Sequence, residues 1–142
     1  MADTTKISNA AADAEANAFA DLLNNGYLRI YDSTGGTGQP ASVDTAIGSQ
    51  VLLAELRFAA TSESDITNGV ITFAALTADT DANATGVATW FRAFASNGTT
   101  AVWDGSVGLA AASPTCALNT TSIVEHAEVS ITTPRSFTVN KG

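Results

Sequence analysis

The sequence predicts a mainly β protein, an antiparallel β-sandwich or small β-barrel with one N-terminal α-helix. Only one segment, close to the N-terminus, carries apolar residues at helical spacing. The rest of the chain consists of short apolar runs separated by turn signals rich in Gly, Asn, Asp, Ser and Thr. Because helices do not alternate with these runs, a doubly wound parallel sheet is not expected.

The length of the chain favours one domain. Its 142 residues are enough for a single hydrophobic core, and neither a linker-like stretch nor an internal repeat divides the sequence. We therefore expect a single domain over residues 1–142, with a helix over 8–26 and a β-domain over 27–140.

The helix is predicted in SNAAADAEANAFADLLNNG. Ser8 is a suitable N-cap and Gly26 a suitable residue to end the helix at the C′ position. Apolar residues recur at every third or fourth position and form one stripe: Ala12, Ala16, Phe19 and Leu23. Because this stripe is mostly alanine, the helix buries little by itself and suits close packing against its own sheet or a neighbouring subunit.

The expected strands begin directly after the helix. The clearest alternation is in QVLLAELRFA, residues 50–59, where Glu55 and Arg57 face away from the apolar positions. Those apolar positions are Leu52, Ala54, Leu56 and Phe58. Further strands are expected within 27–32, 63–76, 89–108, 123–134 and 136–140, with polar loops at 33–42 and 77–86.

The segment TWFRAFASNGTTAVWDGSVG, residues 89–108, predicts a β-hairpin that turns at Asn97-Gly98. A two-residue turn there pairs Phe94 with Ala101 and Arg92 with Trp103. One face then carries Trp90, Arg92, Phe94 and Trp103, and the other carries Val87, Phe91, Ala93, Val102 and Asp104.

Both faces of this hairpin bury substantial area if they are covered. A sandwich covers one face, and the second needs the helix, a loop or another protein. Since Trp and Arg are enriched at interface hot spots, we predict that the second face contacts a further subunit. The candidate protein-interface residues are Trp90, Arg92, Phe94 and Trp103, with a cation–π pair between Arg92 and Trp103.

The charge balance argues against two classes of partner. The chain has 6 basic and 14 acidic residues, a formal net charge of −8, and its Lys and Arg residues are scattered singly along the sequence. Nucleic acids and anionic membrane surfaces attract clustered basic residues, so neither partner is expected. No apolar run approaches the roughly 20 residues that cross a bilayer.

The chain has one cysteine, Cys116, so an intrachain disulfide cannot form. The N-terminus shows no basic start followed by an apolar core, so no secretion signal is expected. Both observations fit a protein that folds in a reducing compartment.

The sequence carries no recognisable catalytic motif. The single histidine, His126, lies between Glu125 and Glu128 and is typical of a solvated surface residue. Cys116 has no local activating signature, and no G-x-S-x-G elbow is present. We therefore expect a protein that is not an enzyme.

Two segments superficially resemble ligand-binding loops. Asp79, Asp81 and Asn83 stand at alternate positions, but an EF-hand requires Gly and Glu where the chain has Ala84 and Trp90. A calcium site of another kind stays open. In STGGTG, residues 33–38, the Lys and Ser or Thr of a phosphate-binding loop are replaced by the Gln-Pro at 39–40. We expect no cofactor and no metal.

The stretch GYLRIYDSTGGTGQPASVDTAIGSQVLLAELRFA, together with TWFRAFASNGTTAVWDGSVG, resembles small virion structural proteins of tailed bacteriophages and prophages. The resemblance extends over about residues 14–108 and includes no catalytic motif. It implies a protein that is made in the bacterial host cytoplasm and incorporated in the virion.

Within that class, two apolar sheet faces, an alanine-rich helix and the lack of a catalytic motif favour a capsid decoration or cement protein on the outer capsid surface. The implied partners are the major capsid protein or other virion subunits, with a homo-oligomer expected. A neck, tail or fibre subunit is the structural alternative. A carbohydrate-binding β-sandwich, with Trp90 and Trp103 stacking on sugars, is the alternative from a different class.

Overall fold

The computed structural model describes residues 5–32, 38–132 and 136–138. Within them the chain is mainly β with one N-terminal helix, as predicted. The elements, in chain order, are α1 (Asn9–Leu22), β1 (Tyr27–Asp32), β2 (Val51–Arg57), β3 (Glu63–Thr67), β4 (Val70–Phe73), β5 (Gly86–Val87), β6 (Trp90–Phe94), β7 (Ala101–Gly108), β8 (Cys116–Ala117), β9 (Ser122–Ile123) and β10 (Ser136–Thr138).

Curled sheets, which together form a half-barrel, make up the β-domain. The main sheet has the strand order β2-β1-β6-β7-β8, a second sheet has the order β10-β4-β3, and β5 pairs with β9 in a two-stranded ribbon. The main sheet is antiparallel except at β7 and β8, which are parallel. A 3-10 turn at Ala110–Ala112 helps to return the chain, so that β8 runs in the same direction as β7.

The start of α1 is as predicted and its end is not. The Ser8 hydroxyl accepts a hydrogen bond from the Ala11 N–H at 3.0 Å, which satisfies one of the open donors of the first turn. The helix ends at Leu22 with Leu23 as C-cap, so the predicted end at Gly26 is wrong. Asn25, with φ 56°, has the left-handed conformation that commonly follows the end of a helix.

The alanine-rich face of α1 lies in the core. The helix packs against β3 and β4, and its buried residues include Ala12, Ala16 and Ala20. The Gly69 N–H, in the β3–β4 turn, donates to a carboxylate oxygen of Asp13 at 2.7 Å. The predicted stripe therefore packs within the chain.

The alternation predicted for residues 50–59 is interrupted by a bulge. Ile30 pairs with Ala54, but Tyr31 pairs with Leu52, so Leu53 is an extra residue in β2. Leu53 is fully buried, whereas Leu52 is only half-buried. The prediction for Leu52 was wrong because the bulge turns its neighbour into the core instead.

The predicted strand at 123–134 is shorter in the structure. Strand β9 ends at Ile123, and the Ala127 N–H closes a turn by donating to the Val124 carbonyl at 2.9 Å. His126, at φ 70°, has a left-handed conformation that no strand residue adopts. Of the predicted last strand, residues 136–138 form β10, and residues 139–140 lie outside the described residues, as do residues 33–37 of the predicted loop.

Gly26 packs closely against neighbouring backbone, a role that the sequence did not predict. A Cβ at this position would lie against the backbone oxygens of Phe94 and Leu23, whereas a Cβ at Gly38 would have no neighbour within 4 Å. We expect Gly26→Ala to lower the free energy of unfolding by about 1–3 kcal/mol, as overpacking does. Gly38→Ala is the control and should change stability little. Urea denaturation of both variants checks this, and equal stabilities would contradict it.

Candidate protein-interface site

The hairpin of β6 and β7 keeps the predicted register at the pair beside its turn and loses it at the next pair. Phe94 pairs with Ala101 as predicted, but a register shift follows between Phe94 and Ala93. Trp103 therefore lies opposite Ala93, and Arg92 lies opposite Asp104. Val102 is the extra residue of this bulge. The predicted pair of Arg92 with Trp103 is wrong, because the bulge moves Trp103 to the other face.

The turn is longer than two residues but preserves the same strand alignment. The Ala95 N–H donates to the Thr100 carbonyl at 2.9 Å, and Gly98 has φ 71°. The side-chain oxygen of Asn97 accepts hydrogen bonds from the N–H groups of Thr99 and Thr100 at 3.0 and 2.9 Å. The Asn-Gly pair thus fixes the turn through its amide oxygen and its left-handed glycine.

Trp103 lies inside the domain. Its side chain is 9% exposed and contacts four other aromatic rings. The ring centroids lie 4.9–5.8 Å away: Phe19, Phe73, Phe91 and Phe137. These distances are typical of aromatic pairs in cores. Trp103 therefore joins the helix to both larger sheets.

The outer face of the hairpin is covered by the chain itself. We call residues 38–50, which lead into β2, the strap. Arg92 donates to the carbonyl oxygens of Thr45 and Ser42 in the strap. It also binds both carboxylate oxygens of Asp104, at 2.7 and 2.8 Å. The second face thus contacts a loop, one of the three covers that the sequence left open.

The Arg92–Asp104 pair is almost completely buried. The two side chains are 2% and 5% exposed, and the hydrogen bond to Asp104 raises the pKa of Arg92. Removing one partner of a buried pair leaves an uncompensated charge and destabilises a protein by about 3–5 kcal/mol. The pair therefore fixes the strap in place.

Trp90 and Phe94 flank Arg92 on the same outer face. The Arg92 guanidinium lies 5.6 Å from the Trp90 ring, so its cation–π partner is Trp90 rather than Trp103. Trp90 is 1% exposed and stacks on Tyr31 with a centroid distance of 4.8 Å, and burial raises the pKa of Tyr31. Among the described residues, the Trp90 indole N–H has no hydrogen-bond partner.

All four candidate interface residues are therefore buried within the chain. Trp90, Arg92 and Phe94 lie on the outer face of β6, where Arg92 contacts the strap, and Trp103 lies apart from them in the core. The remaining accessible surface of these side chains is small. A partner that contacts the isolated chain meets other residues first.

Two arginines that are distant in sequence meet on the outer face. The guanidinium groups of Arg29 and Arg57 lie 5.4 and 4.2 Å from the ring of Tyr27. Arg57 pairs with Tyr27 across the strands, and Arg29 follows it by two positions on the same face. Glu55 balances part of this charge through a 2.7 Å ion pair with Arg29. The arginines are thus less scattered than the sequence suggested.

The residues considered as catalytic or metal-binding candidates lie in separate parts of the fold. Cys116 is buried on β8, whereas His126 is exposed in the turn after β9. The Asp79 carboxylate accepts hydrogen bonds from the N–H groups of Glu55 and Asp81 at 2.8 and 2.9 Å. Within residues 5–32, 38–132 and 136–138, no three His, Cys, Asp or Glu side chains are grouped as metal ligands.

The exposed apolar side chains gather at one end of the main sheet. Of the five large apolar residues exposed in the described part of the chain, four belong to this group: Val51, Val87, Leu109 and Val124. We call these four residues the apolar end. The fifth, Leu22, lies where α1 ends, near the opposite end of β1.

Strand pairing places the four residues of the apolar end. Val51 pairs with Asp32, where β1 finishes, and the Val87 N–H donates to the Asp32 carboxylate at 3.2 Å. Val87 also pairs with Ser122 in the β5–β9 ribbon, and Val124 begins the turn that directly follows β9. Leu109 follows the last residue of β7, which ends beside the start of β6. Sequence reasoning missed this surface because its members lie in four separate segments.

Comparisons with known proteins found no relative: no family model, no curated protein and no solved structure matches the chain. None of the helices in the described residues is long and apolar enough to span a membrane.

The position of Trp103 predicts a large effect of truncation. Trp103→Ala should lower the free energy of unfolding by about 3–5 kcal/mol, as aromatic truncations in cores do. Leu22→Ala removes a side chain that is 54% exposed, so it serves as the control and should change stability by less than about 1 kcal/mol. Guanidinium denaturation measures both. A Trp103→Ala variant as stable as the control would place Trp103 outside the core.

The turn at His126 predicts a pH dependence. His126 Nδ1 lies 2.5 Å from a carboxylate oxygen of Asp81, and this hydrogen bond raises the pKa of His126 above its ordinary 6.5. Because the folded-state pKa is the higher one, the stabilisation is complete below pH 6.5 and is lost as the pH rises through the raised value. The effect should be small, since the pair is exposed.

The comparison variant is His126→Asn, because Asn tolerates the left-handed backbone. The difference in melting temperature between wild type and variant should be larger at about pH 5.5 than at about pH 9. A difference that is constant, or that grows with pH, would contradict the pairing of His126 with Asp81.

Proposed function

We propose that this chain is a structural protein of a bacteriophage virion that decorates or cements the outer surface of the capsid. The apolar end is the observation that carries the proposal. It places four exposed large apolar side chains at one end of the sheet, and large exposed apolar areas on soluble monomers mark contact sites. The sequence resemblance to small virion proteins is the reason for proposing a phage virion. The proposed partner is the major capsid protein.

The charges beside the apolar end indicate what the partner surface must offer. Asp81 and Glu125 have side chains that are 75% and 56% exposed. Glu125 follows Val124 directly, and the Ala82 N–H, next to Asp81, donates to the Ala127 carbonyl in the same turn. A complementary partner therefore has an apolar centre with a neutral or basic rim.

A second copy of this chain is a poorer partner at this end. Two copies that meet there bring Glu125 of both copies together, beside the Asp81–His126 pairs, in a protein whose net charge is already −8. The homo-oligomer predicted from the sequence therefore requires another face. We propose contact with a capsid subunit at the apolar end.

We also propose that the β-domain is a small barrel. The half-barrel curvature of the sheets favours the small barrel over the sandwich among the two predicted architectures. The inner face of the main sheet packs on the core, and its outer face is partly covered by the strap. The end of such a barrel is then the surface available for docking.

The same surfaces bear on the two alternative functions. A neck, tail or fibre subunit would use the apolar end equally well, and only its position in the particle separates it from a decoration protein. A carbohydrate module that stacks sugars on Trp90 and Trp103 is disfavoured, because these side chains are 1% and 9% exposed. The proposal assigns no catalytic step to His126 or Cys116.

The location of the protein in the particle tests the proposed class. Mass spectrometry of purified virions, separated into heads and tails, should detect the chain in the heads in many copies. Detection in tails alone would favour the neck, tail or fibre alternative. Absence from both fractions would overturn the proposal that this is a virion protein.

Substitutions at the apolar end should weaken capsid binding without unfolding the chain. We expect the double variant Val87→Ser and Val124→Ser to bind capsids that lack this protein about tenfold more weakly or worse, because burial of the two valines contributes to affinity. Leu22→Ser, at the other exposed apolar position, is the matched control and should bind like wild type. Co-sedimentation measures binding, and thermal melts verify the fold.

Two outcomes would contradict the proposal that the apolar end binds the capsid. A folded double variant that sediments with capsids as wild type does would exclude the apolar end as the contact. Weakened binding of the Leu22→Ser control to the same degree would point to a nonspecific apolar effect.

A further inference from the structure

Charged side chains surround Tyr27 on the outer face of the main sheet, where β1 begins. We call this group the arginine face: Tyr27, Arg29, Glu55 and Arg57. Tyr27 pairs with Arg57, and Arg29 pairs with Glu55, across β1 and β2. Tyr27 is half-buried and Arg57 is exposed. The arginine face lies at the opposite end of β1 from the apolar end.

Arg57 differs from the other arginines in the described part of the chain. Each of the other two pairs with a carboxylate at 2.7 Å: Arg29 with Glu55 and Arg92 with Asp104. Arg57 makes no ion pair within the described residues. Its guanidinium donates to the Asn25 carbonyl at 3.0 Å and lies 4.2 Å from the centre of the Tyr27 ring. Since a guanidinium has five N–H donors, Arg57 can still bind both oxygens of a carboxylate.

Glu55 has an oxygen available for a second arginine. Its Oε2 accepts a hydrogen bond from Arg29 at 2.7 Å, whereas its Oε1 has no hydrogen-bond partner among the described residues. The side chain is 33% exposed. A second cation can therefore bind Glu55 without displacing Arg29.

Glu55 and Arg57 are complementary between two copies of the chain. They lie on the same face of β2, on either side of the buried Leu56, and are about 7 Å apart along the strand. A two-fold axis that crosses β2 at Leu56, between two facing copies, exchanges these two positions. Glu55 of each copy then lies opposite Arg57 of the other, and such an isologous contact closes after two copies.

The charge of the arginine face also favours a second copy as the partner. The face carries two cations and one anion, whereas the chain has a net charge of −8. A face with excess positive charge attracts another acidic molecule of the same kind, where two acidic faces would repel each other. Tyr and Arg are also enriched at the hot spots of protein interfaces.

We propose that two copies of this chain associate through their arginine faces, with Glu55 of each copy accepting hydrogen bonds from Arg57 of the other. Tyr27 of each copy adds apolar contact beside these ion pairs. The dimer does not use the apolar ends, because they lie at the other end of β1. The proposal therefore stands independently of the contact with a capsid.

Sedimentation velocity of the full chain, from micromolar to millimolar concentration, tests the dimer. The wild-type dimer should increase with concentration and weaken with added salt. Arg57→Glu places an acidic group opposite Glu55 and should weaken association about tenfold or more. Lys6→Glu makes the same change in net charge at an exposed residue outside the arginine face, so this control should associate like wild type.

A mixture of two variants tests the pairing itself. Arg57→Glu makes both positions acidic and Glu55→Arg makes both basic, so neither variant should form a dimer alone. Mixing them restores opposite charges at both contacts, and dimers should return. Thermal melts verify that each variant folds. If Glu55→Arg does not fold, the comparison of Arg57→Glu with Lys6→Glu decides.

Three results would contradict the dimer. A wild-type chain that stays monomeric at every concentration would overturn the proposal, and its binding to capsids would leave the proposed function intact. Equal weakening by Arg57→Glu and Lys6→Glu would indicate general charge repulsion and exclude the arginine face as the contact. Two folded variants that stay monomeric when mixed would overturn the pairing of Glu55 with Arg57.

Discussion

One extra residue, Val102 in β7, decides on which side of the main sheet the hairpin side chains lie. Without this bulge, Trp103 would lie opposite Arg92 on the outer face. With it, Trp103 joins Phe91 in the core, and Asp104 takes the place beside Arg92. A one-residue shift exchanges the two faces of a strand, so the bulge determines both the aromatic core and the buried ion pair.

The strap depends on that ion pair. Arg92 holds the strap through backbone carbonyl groups, and Asp104 neutralises the guanidinium that makes these contacts. On the outer face, the strap is thereby tied to Arg92, and a half-open cleft lies between the strap and the hairpin. The sheet end, with its exposed valines, lies outside the area that the strap covers.

Local signals in the sequence predicted the elements that local contacts determine. The N-cap at Ser8, the alanine stripe and the pairing of Phe94 with Ala101 are examples, because each depends on neighbours in the chain. The bulges at Leu53 and Val102 were not predictable in this way. A bulge is favoured by what both faces of a strand contact, and those contacts come from distant segments.

The candidate site was predicted less well than the fold. The sequence identified the hairpin as unusual, since both of its faces carry large side chains, but it could not show that residues 42–45 would cover the outer face. The apolar end escaped detection for a related reason. Its four residues stand singly in the sequence, and only the pairing of β1 with β2, of β5 with β9 and of β6 with β7 brings them to one end.

Nuclear Overhauser effects in the isotope-labelled chain test the Val102 bulge most directly. The bulge predicts cross-strand backbone contacts of Ala93 with Trp103 and of Arg92 with Asp104. It also predicts contacts between the Trp103 indole and the ring of Phe19. Cross-strand contacts of Arg92 with Trp103, and an indole ring without contacts to the core aromatic rings, would show the regular register and contradict the account.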